Sequence, residues 1–325
     1  MTALPPRSPA RRAIAASALA AGSLLVLAGC ATTSDAEEAG SGSEGLEIAG
    51  VEITVDEAAA ELLPEEIAEA GAVEVATNAP YAPFEMFVEE GSDELTGVDV
   101  DLGRAIGAKL GVDFEFSQQE FDGLIPGLQA AKYDVVMAAL TSSEERMDVL
   151  TFIDYSASGT GILVEAGNPE GIENYLDLCG KDVAVQAATN QVDLATGVWQ
   201  GECEAEGLDP INLSEFPSDA DAQLAITSGK AVASLLTKPS AGYVAKTTND
   251  GETFEVVEDP ESPNGYDATL NGIGVLKENG EFAKAIQAAL QSLIDDGTYE
   301  AILDEYGVTG IGIDEATING AAEAK

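Results

Sequence analysis

The sequence predicts an α/β fold, a parallel sheet covered by helices, on three observations. From Val73 onward, short β-like runs alternate with stretches of helical spacing. Hydrophobic residues make up 45% of the 325 residues, enough to fill globular cores. After the first thirty residues there is no second long apolar segment, no heptad pattern and no short repeat.

The elements can be justified in order. Residues 56–70 (DEAAAELLPEEIAEA) have amphipathic helical spacing, broken near Pro64, and give a helical prelude assigned to 46–71. Val73–Thr77, Val112–Phe116 and Asp134–Ala138 are strand candidates. Asp99–Leu110, Asp122–Ala131 and Ser143–Leu150 repeat their apolar residues at helical intervals. Asp182–Gln186, Pro210–Leu213 and Ala231–Leu236 continue the strands, with helices near Gln191–Gln200, Ala220–Ser228 and Ser240–Lys246. A long helix at Glu281–Asp296 is stopped by Gly297 and followed by Tyr299–Tyr306. Ligands of such sheets bind beyond the carboxyl ends of the strands.

The N-terminus reads as an export signal. Arg7, Arg11 and Arg12 precede the apolar run Ala13 to Ala28, which is short and Ala-rich, as a signal-peptide core is. It ends in Leu27-Ala28-Gly29-Cys30, small residues followed at once by Cys, which resembles the bacterial lipobox. Residues 1–29 are then a signal peptide, and Cys30 is the lipidated first residue of the mature chain. Residues 30–45 form a small, polar, acidic tether with a reach of about 50 Å. Two acyl chains suffice for stable attachment, so the chain is expected on the extracytoplasmic face of the cell membrane. Cys179 and Cys203, both exported, are expected to form a disulfide that contributes on the order of 3 kcal/mol.

Charge and composition exclude several functions. The chain has 59 acidic and 14 basic residues, net -45, and loses three arginines and no acid with its signal peptide. Nucleic acid is therefore excluded as a partner, as is docking on anionic lipid through a basic patch. With no histidine, a Ser-His-Asp or Cys-His nucleophile and any His-ligated metal are ruled out. Gly229-Lys230 is no phosphate loop, because Leu224 and Ala231 stand where Walker A needs Gly and Ser or Thr. No calcium-loop spacing is present. Neither a cofactor nor a metal is expected.

A series of motifs then appears in a fixed order. Thr77-Asn78-Ala79-Pro80-Tyr81-Ala82-Pro83-Phe84-Glu85 follows the first strand, and Gly97-Val98-Asp99-Val100-Asp101-Leu102 comes about a dozen residues later. Phe121-Asp122-Gly123-Leu124-Ile125-Pro126-Gly127-Leu128, Lys132-Tyr133-Asp134, Arg146 after Ser142-Ser143-Glu144-Glu145, and Asp296-Gly297-Thr298-Tyr299 complete it. From about 72 to 308 the chain resembles the extracytoplasmic solute-binding proteins of polar amino acid ABC importers, solute-binding family 3. The resemblance implies a periplasmic-binding-protein-like fold of two α/β lobes joined by two crossover strands, with the ligand between them. Lobe 1 is then 72–158 plus 270–308, lobe 2 is 159–269, and 309–325 is a C-terminal tail. Hinge closure on the ligand would present a monomer to its permease.

The resemblance also implies a site. Only two arginines remain in the mature chain: Arg104 on a helix surface, and Arg146, which matches the family's carboxylate-binding arginine. The plainer reading of Arg146 is a surface ion pair with Glu144 or Asp148. Tyr81 and Phe121 match aromatics that sandwich the ligand, whereas Phe84 reads as core. Thr141 matches a hydroxyl that bonds the ligand. Thr189 and Asn190 match a lobe 2 turn, here Ala188-Thr189-Asn190. Asn78 stands at the family's first-strand Asp, and Ala138-Ala139 replace a pair often containing Ser. Thr237, followed by Lys238, occupies the place of the family's ammonium-binding Asp. Burying an ammonium without a counter-charge is costly. Either Glu85, Asp154 or Asp267 replaces that charge, or the ligand lacks a primary α-amine, and Lys238 then favours a second anionic group. A stand-alone sensing lipoprotein and a dehydratase-like enzyme on the same scaffold are the other readings. The absence of any nucleophile motif weighs against the enzyme.

Overall fold

The computed structural model describes residues 46–89 and 91–322. The signal peptide, Cys30 and the 30–45 tether lie outside the described residues. Among the described residues no helix is long and apolar enough to cross a membrane.

The chain opens on an antiparallel hairpin, β1 (Leu46–Ile48) and β2 (Val51–Ile53), where the sequence predicts helical prelude throughout. Ile48 and Ile53 are both buried, and the two strands pair from Leu46 opposite Ile53 to Ile48 opposite Val51. The prelude helices begin later, as α1 (Glu57–Ala60) and α2 (Glu65–Ala70), with Asp56 capping the first and Pro64 separating the two. β3 (Ala72–Thr77), the small hairpin β4 (Met86–Phe87) and β5 (Leu95–Thr96), α3 (Val98–Leu110) and β6 (Asp113–Gln118) follow. Then come α4 (Leu124–Gln129), β7 (Val135–Val136) and α5 (Glu144–Met147).

Strand β8 (Leu150–Glu165) runs 16 residues and leaves this first lobe for the second. There the chain forms β9 (Asp182–Gln186), α6 (Asn190–Leu194), a π-helical turn over Ala195–Trp199, and α7 (Gln200–Ala205). It continues with β10 (Asn212–Phe216), α8 (Asp219–Thr227), β11 (Ala233–Thr237), α9 (Lys238–Thr247) and β12 (Phe254–Val256). Strand β13 (Tyr266–Leu276) returns to the first lobe, which α10 (Gly280–Asp295), α11 (Thr298–Glu305) and β14 (Thr317–Ile318) complete.

One curled sheet runs in the order β10-β9-β11-β8-β13-β7-β3-β6. Strand β3 is parallel to β6 and β7, and β9 is parallel to β10 and β11, as the alternation predicts. β8 and β13 run antiparallel to each other and to their other neighbours, β11 and β7, so the sheet is mixed. From Ala157 to Gly159, β8 pairs with no strand other than β13, and register shifts lie near both ends of that stretch. That stretch is the two-strand hinge. Each lobe has its own core. Val73, Val75, Leu102, Ile106, Phe282, Ile286 and Leu290 pack in the first. Ile162, Val183, Val185, Trp199 and Leu235 pack in the second.

The Cys179–Cys203 disulfide forms in the second lobe, with Cys203 fully buried. The tail folds back: β14 pairs with β8 at Asp154 and Ile153, and Thr317 Oγ1 and Gly320 N donate to Asp154 Oδ2 at 2.9 and 2.7 Å. Ser142 Oγ donates to Asp154 Oδ1 at 2.6 Å. Asp154 is thereby tied to the tail and to Ser142.

Candidate functional site

The ends of β3, β9 and β11 converge at the gap between the lobes, on the carboxyl side of the parallel strands. After β3, the backbone of Tyr81 and Glu85 exchanges hydrogen bonds, Tyr81 N to Glu85 O at 2.7 Å and the reverse at 3.2 Å. This closes a turn that directs Tyr81 across the gap. Arg146 lies on the single turn of α5, whose N-cap Ser143 accepts from Arg146 N.

All nine ligand-site candidates line one cavity: Asn78, Tyr81, Phe121, Ala139, Thr141, Arg146, Thr189, Asn190 and Thr237. Ala138, Glu85, Gln186 and Gln191 line it too. Both glutamines go unsingled in the sequence, although Gln186 ends a strand, and strand carboxyl ends are where such sites lie.

Polar contacts cross the gap. The Tyr81 hydroxyl donates to Thr237 Oγ1 at 3.0 Å and accepts from Thr237 N at 2.8 Å. Gln186 Nε2 donates to Asn78 Oδ1 at 2.8 Å, and Thr141 Oγ1 to Asn190 Oδ1 at 3.0 Å. Arg146 spans both sides, donating to Thr141 O at 3.0 Å and to Ala188 O at 3.1 Å. Its guanidinium carbon stands 5.8 Å from the centre of the Phe121 ring. The enclosed free space is about 20 Å³, room for little more than one water. A ligand therefore enters only when the lobes part.

Charge in the site is segregated. Burial brings the Arg146 guanidinium down to about 10, with Asp193 and Glu145 opposing the shift, so it stays cationic near neutrality. At the other end Glu85 is 1% exposed, and its Oε2 has no hydrogen-bond partner. Burial, then the charge of Asp99, push its carboxyl well above the usual range. Asp99 accepts from the Tyr155 hydroxyl at 2.6 Å and from Ala139 N at 2.7 Å, and burial pushes it up to about 6. The Ala139 N–H is thus already engaged.

Two sequence expectations are corrected here. Lys238 does not line this cavity; as the first residue of α9 it swings out to Glu258 Oε2 at 2.8 Å. It borders a larger groove of about 650 Å³ with Tyr243, Lys246 and Tyr306. Asp267 is exposed and outside the cavity, and Asp154, held by the tail, does not line it either, so of the three proposed replacement acids only Glu85 reaches the site. Phe84 is fully buried in the first core, and Arg104 stays on the surface of α3 near Asp101. Among the described residues no cluster of carboxylate or Cys side chains is arranged to hold a metal ion.

Raised carboxyls make stability depend on pH. Asp99 and Asp219 are pushed up to about 6 by burial, against about 3.9 in an unfolded chain. Between those values the folded chain binds more protons than the unfolded one, so stability falls as pH rises through that window. The thermal midpoint is expected to be higher at pH 5 than at pH 7.5. A midpoint that climbs with pH across this range contradicts the assignment.

The profile of the bacterial extracellular solute-binding proteins, family 3, matches residues 73–309. The arginine-binding protein ArgT of Corynebacterium glutamicum is 31% identical over 95% of this chain and 96% of its own length. The histidine-binding periplasmic protein of Escherichia coli is 26% identical over 72% of this chain and 86% of its own. Among solved structures, a mutant of ArgBP from T. maritima aligns with 76% of this chain and 98% of its own at TM-score 0.61 and 29% identity. An ancestral arginine-binding protein bound to glutamine aligns with 73% of this chain and 98% of its own at TM-score 0.60 and 33% identity. With two lobes, a two-strand hinge and a match spanning both, the chain belongs to the bacterial extracellular solute-binding proteins, family 3.

Proposed function

We propose that this protein is the substrate-binding component of an ABC importer that captures a polar amino acid between its lobes and passes it to the permease by hinge closure. One observation carries the reading: a cationic guanidinium, Arg146, bridges backbone carbonyls of both lobes inside the closed gap. A ligand carboxylate fits that fork bidentately and strengthens closure. Tyr81 and Phe121 supply flat faces for the ligand body. The relatives named for arginine and histidine support an amino acid over a derivative without an amine.

The protein acts outside the cell, as a monomer anchored through Cys30. Calorimetric titration of the tag-free, signal-less protein against the standard amino acids tests the ligand class. Saturable binding of at least one polar amino acid, L-arginine being the first probe, is expected; no heat with any of them rejects it. Turnover of a bound compound, seen by mass spectrometry, would instead indicate an enzyme. Cys30→Ser is expected to move the chain from the membrane fraction to the medium.

A further inference from the structure

The second lobe lacks an acid at Thr237 but holds one nearby that the sequence does not single out. Asp219, the first residue of α8, is 4% exposed. Its Oδ2 accepts from Gln223 Nε2 at 2.6 Å, while Oδ1 has no partner. It forms no ion pair with any described residue. Helix α8 turns Asp219, Ala222, Ala225 and Ile226 inward, and Ile226 packs in the same cluster as Leu236, Ala241 and Tyr81. Just upstream, Pro217 O accepts from Gln186, which lines the cavity. Asp219 also acts on the Tyr81 phenol, which burial first and then the Asp219 charge push upward. A buried carboxylate with an unused oxygen is costly, so such a group calls for a reason.

Resting on the amino acid reading above, we propose that Asp219 is the lobe 2 anchor for the ligand's α-ammonium, in place of the acid missing at Thr237. Tyr81 belongs to the first lobe, so parting the lobes lifts its hydroxyl off Thr237 and uncovers the side of α8 that holds Asp219. The ligand then lies between Arg146 and Asp219, its two charges matched at opposite ends. Glu85 is the poorer anchor, because burial and then the charge of Asp99 push its carboxyl well above the usual range and disfavour the anion.

The test compares L-arginine with guanidinovalerate, which is arginine without its α-amine, by titration of the full soluble chain; if the panel gives a tighter amino acid, that acid and its deamino analogue form the pair. Wild type is expected to favour the amino acid by roughly a hundredfold, since an analogue lacking the amine leaves a buried carboxylate unpaired. Asp219→Asn is expected to weaken the amino acid about tenfold or more and leave the deamino analogue unchanged. Asp219→Glu, which keeps the charge, restores part of the loss and separates anchoring from folding, with circular dichroism confirming each variant's fold. Equal losses for both probes, or none, overturn the assignment while the amino acid reading stands. Failure of wild type to bind any amino acid overturns both.

Discussion

Arg146→Ala is expected to weaken ligand capture about a hundredfold and to leave the fold standing. The expected loss is about 3 kcal/mol, roughly a hundredfold in affinity, the cost of removing one member of a desolvated carboxylate–guanidinium pair. The fold survives because Arg146 stands at the end of a four-residue helix, half-buried, outside both cores. Its loss removes donors to Thr141 O and Ala188 O, worth about 1 kcal/mol each. Arg146→Lys keeps the charge but not the planar fork, and is expected to fall between. Titration with the wild-type ligand, beside a thermal melt of each variant, checks this. Undiminished binding by Arg146→Ala removes the guanidinium from the site.

The second large effect belongs to the hinge. Gly265→Ala is expected to destabilise the protein by about 2–4 kcal/mol. Gly265 sits at φ +90°, which strains any residue with a Cβ, and an added Cβ would lie 2.6 Å from the carbonyl carbon of Gly159 on the facing strand. Gly159 meets the mirror problem, 2.5 Å from Gly265, with no adverse φ of its own. Gly159→Ala is therefore the milder variant, and the difference between the two measures the backbone strain. Denaturant melts give both numbers. A Gly265→Ala protein within about 0.5 kcal/mol of wild type means that the crossing strands are looser than drawn here.

Much of this architecture can be read locally. Helix α10 buries Phe282, Ile286, Ala289 and Leu293 at three- and four-residue intervals, and β9 fills its five predicted positions. The crossing strands are different. Ser156-Ala157-Ser158-Gly159 carries little strand preference, and it is extended because β13 pairs beside it, a partner more than a hundred residues away. For the same reason the expected helix over Ser143–Leu150 stops at Met147, and Leu150 already belongs to β8. The hairpin at 46–53 escapes because two three-residue strands are too short to show alternation.

At the site, the nine candidates come together in one cavity because they lie at or after strands whose ends face the gap. Charge partners are less accessible to such reading. Burial sets Glu85, Asp99, Asp154 and Asp219 apart from the other described acids, and burial is a property of packing. Lys238 follows Thr237 directly, yet one step into α9 rotates its side chain out of the cavity.

The strand order also sets the sequence in which the molecule can be built. The second lobe's strands β9 to β12 form one unbroken stretch of the chain, joined by its own disulfide, and their pairing needs nothing later in the sequence. The first lobe differs. Its β7 needs β13, and Asp154 needs Thr317 and Gly320, so strands early in the sequence are completed only by residues near its end. A chain cut short after β12 would therefore leave β3, β6 and β7 without the β13 partner that joins them to the rest of the sheet.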